Sequence, residues 1–204
     1  IACTHEHLDH LDKECVPELC ASSPRARVVV PEPIVDMVVE LGVARERVVG
    51  LQPDRPVEVA GVSIHGIPAM HGIHPADAYS FGQDRFLGFV FQAGGLAIYH
   101  AGDTIPYDGH AERIRNLGVD VALLPINGRD AAREALDIVG NMDAEEAAAL
   151  AIDARVEVVI PMHYDMFAAN PGDPARLVAA VARAGGGVTV VVPARGRPFV
   201  YARA

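Results

Sequence analysis

At 204 residues, half of them hydrophobic, the chain is long enough to bury a sizeable core. Its formal net charge of −10 argues against nucleic acid and anionic membranes as main partners, because those surfaces are held by excess Lys and Arg. No apolar run reaches the roughly 18 residues of a membrane helix, and the three cysteines, odd in number and bunched near the N-terminus, make no disulfide framework. These features imply a soluble protein of a reducing cytoplasm.

The chain opens on "IACTHEHLDH". Residues two apart share one side of an extended segment, so His5 and His7 converge on one ion if "ACTHEH" ends a strand. Asp9 and His10 follow where "DHLDKECVPEL" takes on helical spacing. Beyond it, "RVVVPE" reads as a strand, "PIVDMVVELG" as a helix, and "VEVAGVSIHGIPA" as a hairpin about its central glycine. "FLGFVFQAGGLAIYHAG" is a second strand pair joined at Gly94 and Gly95. "HAERIRNLG" is a short helix closed by Gly118, and "VDVALLP" a buried strand. The second half continues the alternation. "NMDAEEAAALAIDA" is helical with Asn141 or Asp143 as its cap, "VEVVIP" a strand, "DPARLVAAVARAG" a helix, and "GVTVVVP" and "PFVYA" final strands. This is mixed α/β, with no linker that would divide it, so one domain over residues 1–204 is expected. The segments between Met70 and Phe86 and between Asn127 and Asn141 are long loops, which usually carry function.

Four potential ligands within six residues point to a metal. Imidazole and carboxylate suit zinc, manganese or iron, at three or four protein ligands per ion. The other candidates, His71, Asp103 and His163, all stand at or just beyond strand ends, where side chains from successive strands can meet above one edge of a sheet.

"THEHLDH" resembles the H-x-H-x-D-H signature of the metallo-β-lactamase superfamily, and "PAMHG", "HAGDT" and "IPMHYD" are similar to its later ligand motifs in the same order. The resemblance implies a four-layer αββα sandwich with a two-metal site at one edge of the facing sheets. It also implies an N-terminally truncated sandwich, because family members normally have several strands before the first motif, where only "IACT" stands here. The open sheet edge so left would favour a homo-oligomer. Carried over to this chain, the family pattern gives His5, His7 and His71 to a first ion and Asp9, His10 and His163 to a second, with Asp103 bridging. His74 rivals His71, but the family ligand follows the strand directly. His65, His100 and His110 have no motif role and are expected to be structural, with His100 close enough to Asp103 to support it.

The two divalent cations, zinc or manganese with iron also compatible, imply a hydrolase in which a hydroxide held between them attacks an ester or lactone carbonyl. Asp9 would orient the attacking water and carry its proton to the leaving group. No cysteine nucleophile is needed, and Cys3 is expected to be a buried strand residue. "LLPINGRD", "GNMDAEEAAALA" and "IPMHYDMF" are similar to the branch of L-ascorbate-6-phosphate lactonases, which makes a small, anionic substrate such as a phosphorylated sugar-acid lactone the expectation. Asn127 and Arg129 are candidates to bind it, Arg129 by pairing with a phosphate or carboxylate. Arg195 and Arg197 fit a surface turn. A phosphodiesterase or thioester hydrolase would use the same site, and a non-catalytic metal-binding or interaction domain is the alternative of another class.

Overall fold

The computed structural model describes residues 1–202. Two sheets face each other. The smaller pairs β1 (Val28–Pro31) with β2 (Val48–Leu51) in parallel, and the opening residues lie beside β1, joined by Cys3 N to Val29 O at 3.0 Å and Val29 N to Ile1 O at 2.9 Å. The larger has seven strands in sequence order: β3 (Val57–Val59), β4 (Val62–Pro68), β5 (Leu87–Ala93), β6 (Leu96–His100), β7 (Val121–Pro125), β8 (Val158–Met162) and β9 (Thr189–Val190). β3 to β6 are antiparallel, and β6 to β9 are parallel.

The alternation of side chains along these strands builds the four layers. On β1, Val28 and Val30 turn outward to pack with α1 (Cys15–Ser22) and α2 (Val35–Glu40), while Val29 turns inward. Val29 meets Leu51, Ile64, Leu87 and Phe89 between the sheets. On the far face, Val90, Tyr99, Leu124 and Val159 pack beneath α3 (His110–Asn116), α5 (Ala144–Ala154) and α6 (Pro174–Ala184). This is the expected αββα sandwich. Among the described residues no helix is long and apolar enough to cross a membrane.

Helix ends follow their sequence signals. Asp143, not Asn141, caps α5: its Oδ1 accepts from Glu146 N at 2.8 Å while Glu146 Oε2 accepts from Asp143 N at 2.9 Å, a reciprocal capping box. Asp173 caps α6, with Pro174 in its first turn and Gly185 closing it at a left-handed φ of 64°.

Several expectations are corrected. The helical spacing after Asp9 does not start a helix there: residues 8–10 form a turn tied by His10 N and Leu11 N to His7 O, and the helix begins at Cys15, where Asp12 Oδ1 takes the free amides of Glu14 and Cys15. "GVTVVVP" contributes only two strand residues, and "PFVYA" none. The neighbouring strand reaches Pro161 two residues past its last partner of β9, and proline has no N–H with which to continue a ladder. Unforeseen elements are β2, a four-residue run, and α4 (Ala131–Glu134), one turn inside the second long loop.

Candidate metal centre

The opening tetrapeptide ends beside β1, and the next residues bend rather than extend. His5 and His7 therefore meet through different ring atoms, His5 Nε2 to His7 Nδ1 at 3.1 Å, which an extended segment would not give. From the end of β4, His71 brings Nε2 to 3.4 Å from the same His7 Nδ1. Past the end of β6, Asp103 is carried by a turn in which Gly102 has φ +61° and would place a Cβ 2.8 Å from Thr4 Cβ. Only glycine meets both conditions. His163 follows β8 at a left-handed φ of 58°, a strained position for a residue with a Cβ and one that clusters at functional sites.

Seven side chains converge in two sets. Donor atoms of His5, His7, His71 and Asp103 lie within 4.8 Å of one another, as do those of Asp9, His10 and His163. Asp103 spans the two: its Oδ1 is 3.2 Å from His10 Nε2, and its Oδ2 is 3.4 Å from His163 Nε2 and 3.7 Å from His71 Nε2. Asp9 Oδ2 is 3.2 Å from His163 Nε2 and 3.5 Å from His10 Nε2. His74 stays outside, largely exposed, with Nδ1 3.0 Å from Asp137.

Burial and charge set the protonation of this cluster. Burial holds His5 well below the usual histidine range and His71 down to about 4, against the pull of Asp103. For His163 burial also acts downward, but the charge of Asp103 and the contact with Asp9 outweigh it and raise the group to about 9. His10 is raised for the same reason, by Asp103 and Asp9. Burial would raise Asp103, yet His10 and His163 hold it well below the carboxylate range.

The donors fit a cation better than they fit each other. His10 Nε2 and Asp103 Oδ1 are buried and unpaired despite their proximity. Imidazole nitrogens about 2.0–2.1 Å from a tetrahedral ion stand about 3.3 Å apart, close to the 3.1 and 3.4 Å that separate His7 Nδ1 from Nε2 of His5 and of His71. Further contacts orient these candidate ligands. Thr4 Oγ1 lies 3.1 Å from His5 Nδ1 and 3.3 Å from His10 Nδ1, and His100 Nδ1 accepts from Gly102 N at 3.2 Å, which steadies the Asp103 turn.

A model of the Beta-lactamase superfamily domain matches residues 1–164. The chain belongs to the metallo-β-lactamase superfamily. Within that superfamily it is 32% identical over 195 residues to a UPF0173 metal-dependent hydrolase of Opitutus terrae, a match covering 95% of this chain and 78% of that protein. It is 26% identical over 187 residues to the probable L-ascorbate-6-phosphate lactonase of Escherichia coli, across 85% of this chain and 51% of the lactonase, so it spans about half that protein's length. A metallo hydrolase from the archaeon Ignicoccus hospitalis superposes with a TM-score of 0.79 at 26% identity, covering all of this chain and 79% of the other. This superfamily member is thus a metal-dependent hydrolase that uses divalent metal.

The two residues expected to bind substrate do not reach the cavity beside the cluster. Arg129 Nη1 and Nη2 donate to Glu146 Oε2 and Oε1 at 2.6 and 2.7 Å, and Nη1 also reaches Asn141 O. Asn127 is buried, donating from Nδ2 to Asn170 Oδ1 at 2.9 Å and accepting from Asn141 Nδ2. Asn170 does line the cavity, although nothing in "FAANPGD" marks this one asparagine. Both long loops flank the opening, through Ile73 on one and Asp137 to Val139 on the other. Cys3 is buried in the outer core, where burial pushes its thiol up to about 11 and leaves it a poor nucleophile.

Proposed function

We propose that the protein is a dinuclear hydrolase that opens an ester or lactone bond. One observation carries this reading: the two oxygens of Asp103 divide between the donor sets, toward His10 on one side and toward His163 and His71 on the other. A carboxylate so shared suits a bridge. His5, His7 and His71 would hold one ion, and Asp9, His10 and His163 the other, with zinc or manganese matching the donor chemistry. Bound there, divalent cations supply a hydroxide near neutral pH and polarise a carbonyl oxygen.

The remaining work falls to side chains. Asp9, 19% exposed, borders the cavity, so its Oδ2 can orient a water and pass the proton it takes to the departing alkoxide oxygen. His163 beside it favours the ionised carboxylate that this role needs. The substrate is a small molecule. The cavity beside the cluster measures about 490 Å³, the size of a small-ligand pocket. Three free cysteines accord with a reducing cytoplasm.

The test is metal content by mass spectrometry together with hydrolysis of a neutral γ-lactone. Two equivalents of metal with turnover are expected, and Asp103→Ala should reduce both. Stoichiometric loading with no hydrolysis of any lactone, ester, thioester or phosphodiester would instead favour a binding domain.

A further inference from the structure

The cavity beside the metal cluster opens past Leu8, Ile73, Ile138, Val139 and Phe167, and among the described residues no lysine or arginine lines it. Apart from the candidate ligands, its charged wall is Asp137, an exposed carboxylate facing His74. Four arginines of the surrounding loops are ion-paired: Arg129 with Glu146, Arg133 with Asp130, Arg85 with Glu6 and Arg195 with Asp165. Four large apolar side chains stand exposed on or next to this wall, Leu8 at 67%, Leu136 at 70%, Met166 at 56% and Phe167 at 48%. Leu8 is placed between His7 and Asp9, so the apolar wall starts at the reacting centre itself.

Apart from Asp137, polar recognition outside the cluster is sparse. Asn170 Oδ1 is occupied by donors from Asn127 and Arg133, so the amide is held fast and its Nδ2 is left as the neutral donor of the wall. Among the described residues that line the cavity, a phosphorylated or carboxylated substrate would meet no cation outside the cluster and would approach Asp137. A hydrocarbon arm would instead cover exposed apolar surface, which is favourable in proportion to the area removed from water.

We infer that the substrate is an uncharged ester or lactone bearing a hydrocarbon arm, which lies against Leu8, Ile138 and Phe167 while the acyl group faces the cluster. This rests on the ester-hydrolase reading for the reaction, but not for the pocket. One water adds across the acyl C–O bond: the acyl carbon gains the hydroxyl, the released oxygen takes the proton, and the resulting acid ionises to solvent. The carboxylate product then carries a charge that the apolar wall and Asp137 do not hold, which favours its release.

Two measurements on the metal-loaded protein test this. The first is kcat/KM for γ-butyrolactone, γ-hexalactone, γ-nonalactone and 6-phosphogluconolactone. Each methylene that enters the pocket should raise kcat/KM by roughly threefold, with the phosphorylated lactone at least about tenfold below γ-nonalactone. The second is an NMR titration, followed at the isoleucine methyls, with cyclopentanone and 2-pentylcyclopentanone, which lack the scissile C–O bond. The pentyl compound should bind at least about tenfold tighter, and Phe167→Lys or Leu8→Lys on the exposed rim should erase that advantage with metal content intact. Equal binding of the two ketones, or preference for the phosphorylated lactone, would overturn the inference. Tight binding of the pentyl ketone with no lactone turned over would support the pocket assignment and remove the ester-hydrolase reading.

Discussion

His10 Nε2 and Asp103 Oδ1 face each other at 3.2 Å, both buried and neither hydrogen-bonded. Each buried polar atom left this way costs about 1–3 kcal/mol, a cost that a cation between the donors removes. Chelation should therefore destabilise the fold as well as stop turnover. Metal present at 100 times its Kd adds about 2.7 kcal/mol, which for a chain of this size corresponds to a Tm lower by about 5–10 °C after exhaustive dialysis against EDTA. Calorimetry of loaded and chelated samples measures it directly, and equal melting temperatures would mean that these atoms do not hold the ion.

The metal-free protein should be most stable near neutrality and lose stability on both sides. His163 has its folded pKa raised to about 9, so its contribution is complete below the unfolded value of about 6.5 and is lost as pH rises through 9. His71, lowered by burial to about 4, acts in the opposite sense, as does His5. The unfolded chain binds their protons more readily, so stability falls as pH drops below about 6.5 towards 4. Urea unfolding of chelated protein at about pH 5, 7 and 9.5 should give the largest midpoint at the middle value. Loading with metal displaces these protons and should flatten the alkaline limb; a monotonic profile in the chelated protein would contradict the opposed shifts.

The candidate ligands are legible in the sequence because their chemistry and their place in the chain coincide: His and Asp residues at strand ends, in fixed spacings, have few other reasons to gather. The fold was legible where the apolar period was long, as in β5 and α5. Arg129 reads as a free cation in the sequence because the partner that occupies it, Glu146, lies 17 residues on and is brought over by the cap of α5, a contact that no local pattern reveals. The cavity wall was hidden for a related reason. Leu8, Ile138 and Phe167 are ordinary apolar residues in three separate segments until the fold leaves them facing one opening.

The role of Arg129 can be separated from substrate binding. Its guanidinium locks the Asp143–Glu146 capping box to the loop after β7, so Arg129→Met should act on the fold. The pair is about one-third exposed, and solvent screening limits its worth to about 1 kcal/mol, a Tm decrease of about 2–4 °C. The kcat/KM for a neutral lactone should stay within about twofold of the parent value, less than 0.5 kcal/mol of transition-state energy. A KM raised about tenfold at unchanged Tm would return Arg129 to the substrate.

Thr4 links the two donor sets without ligating either. A hydroxyl oxygen has two lone pairs, so Thr4 Oγ1 can accept Nδ1–H from both His5 and His10, which leaves the Nε2 lone pair of each ring turned toward the cluster. Thr4→Val keeps the volume that fills the space against Gly102 and keeps the backbone bond from Leu87 N to Thr4 O, yet it removes that acceptor. Both rings then lose the contact that sets their tautomer and their orientation. Metal affinity, measured by competition with a chromophoric chelator, should fall about 10–100-fold while the circular dichroism spectrum is retained. Thr4→Ser restores the hydroxyl and should recover most of the affinity. If valine bound metal as tightly as threonine, the orientation of His5 and His10 would have to come from ring packing against Phe86 and the neighbouring histidines.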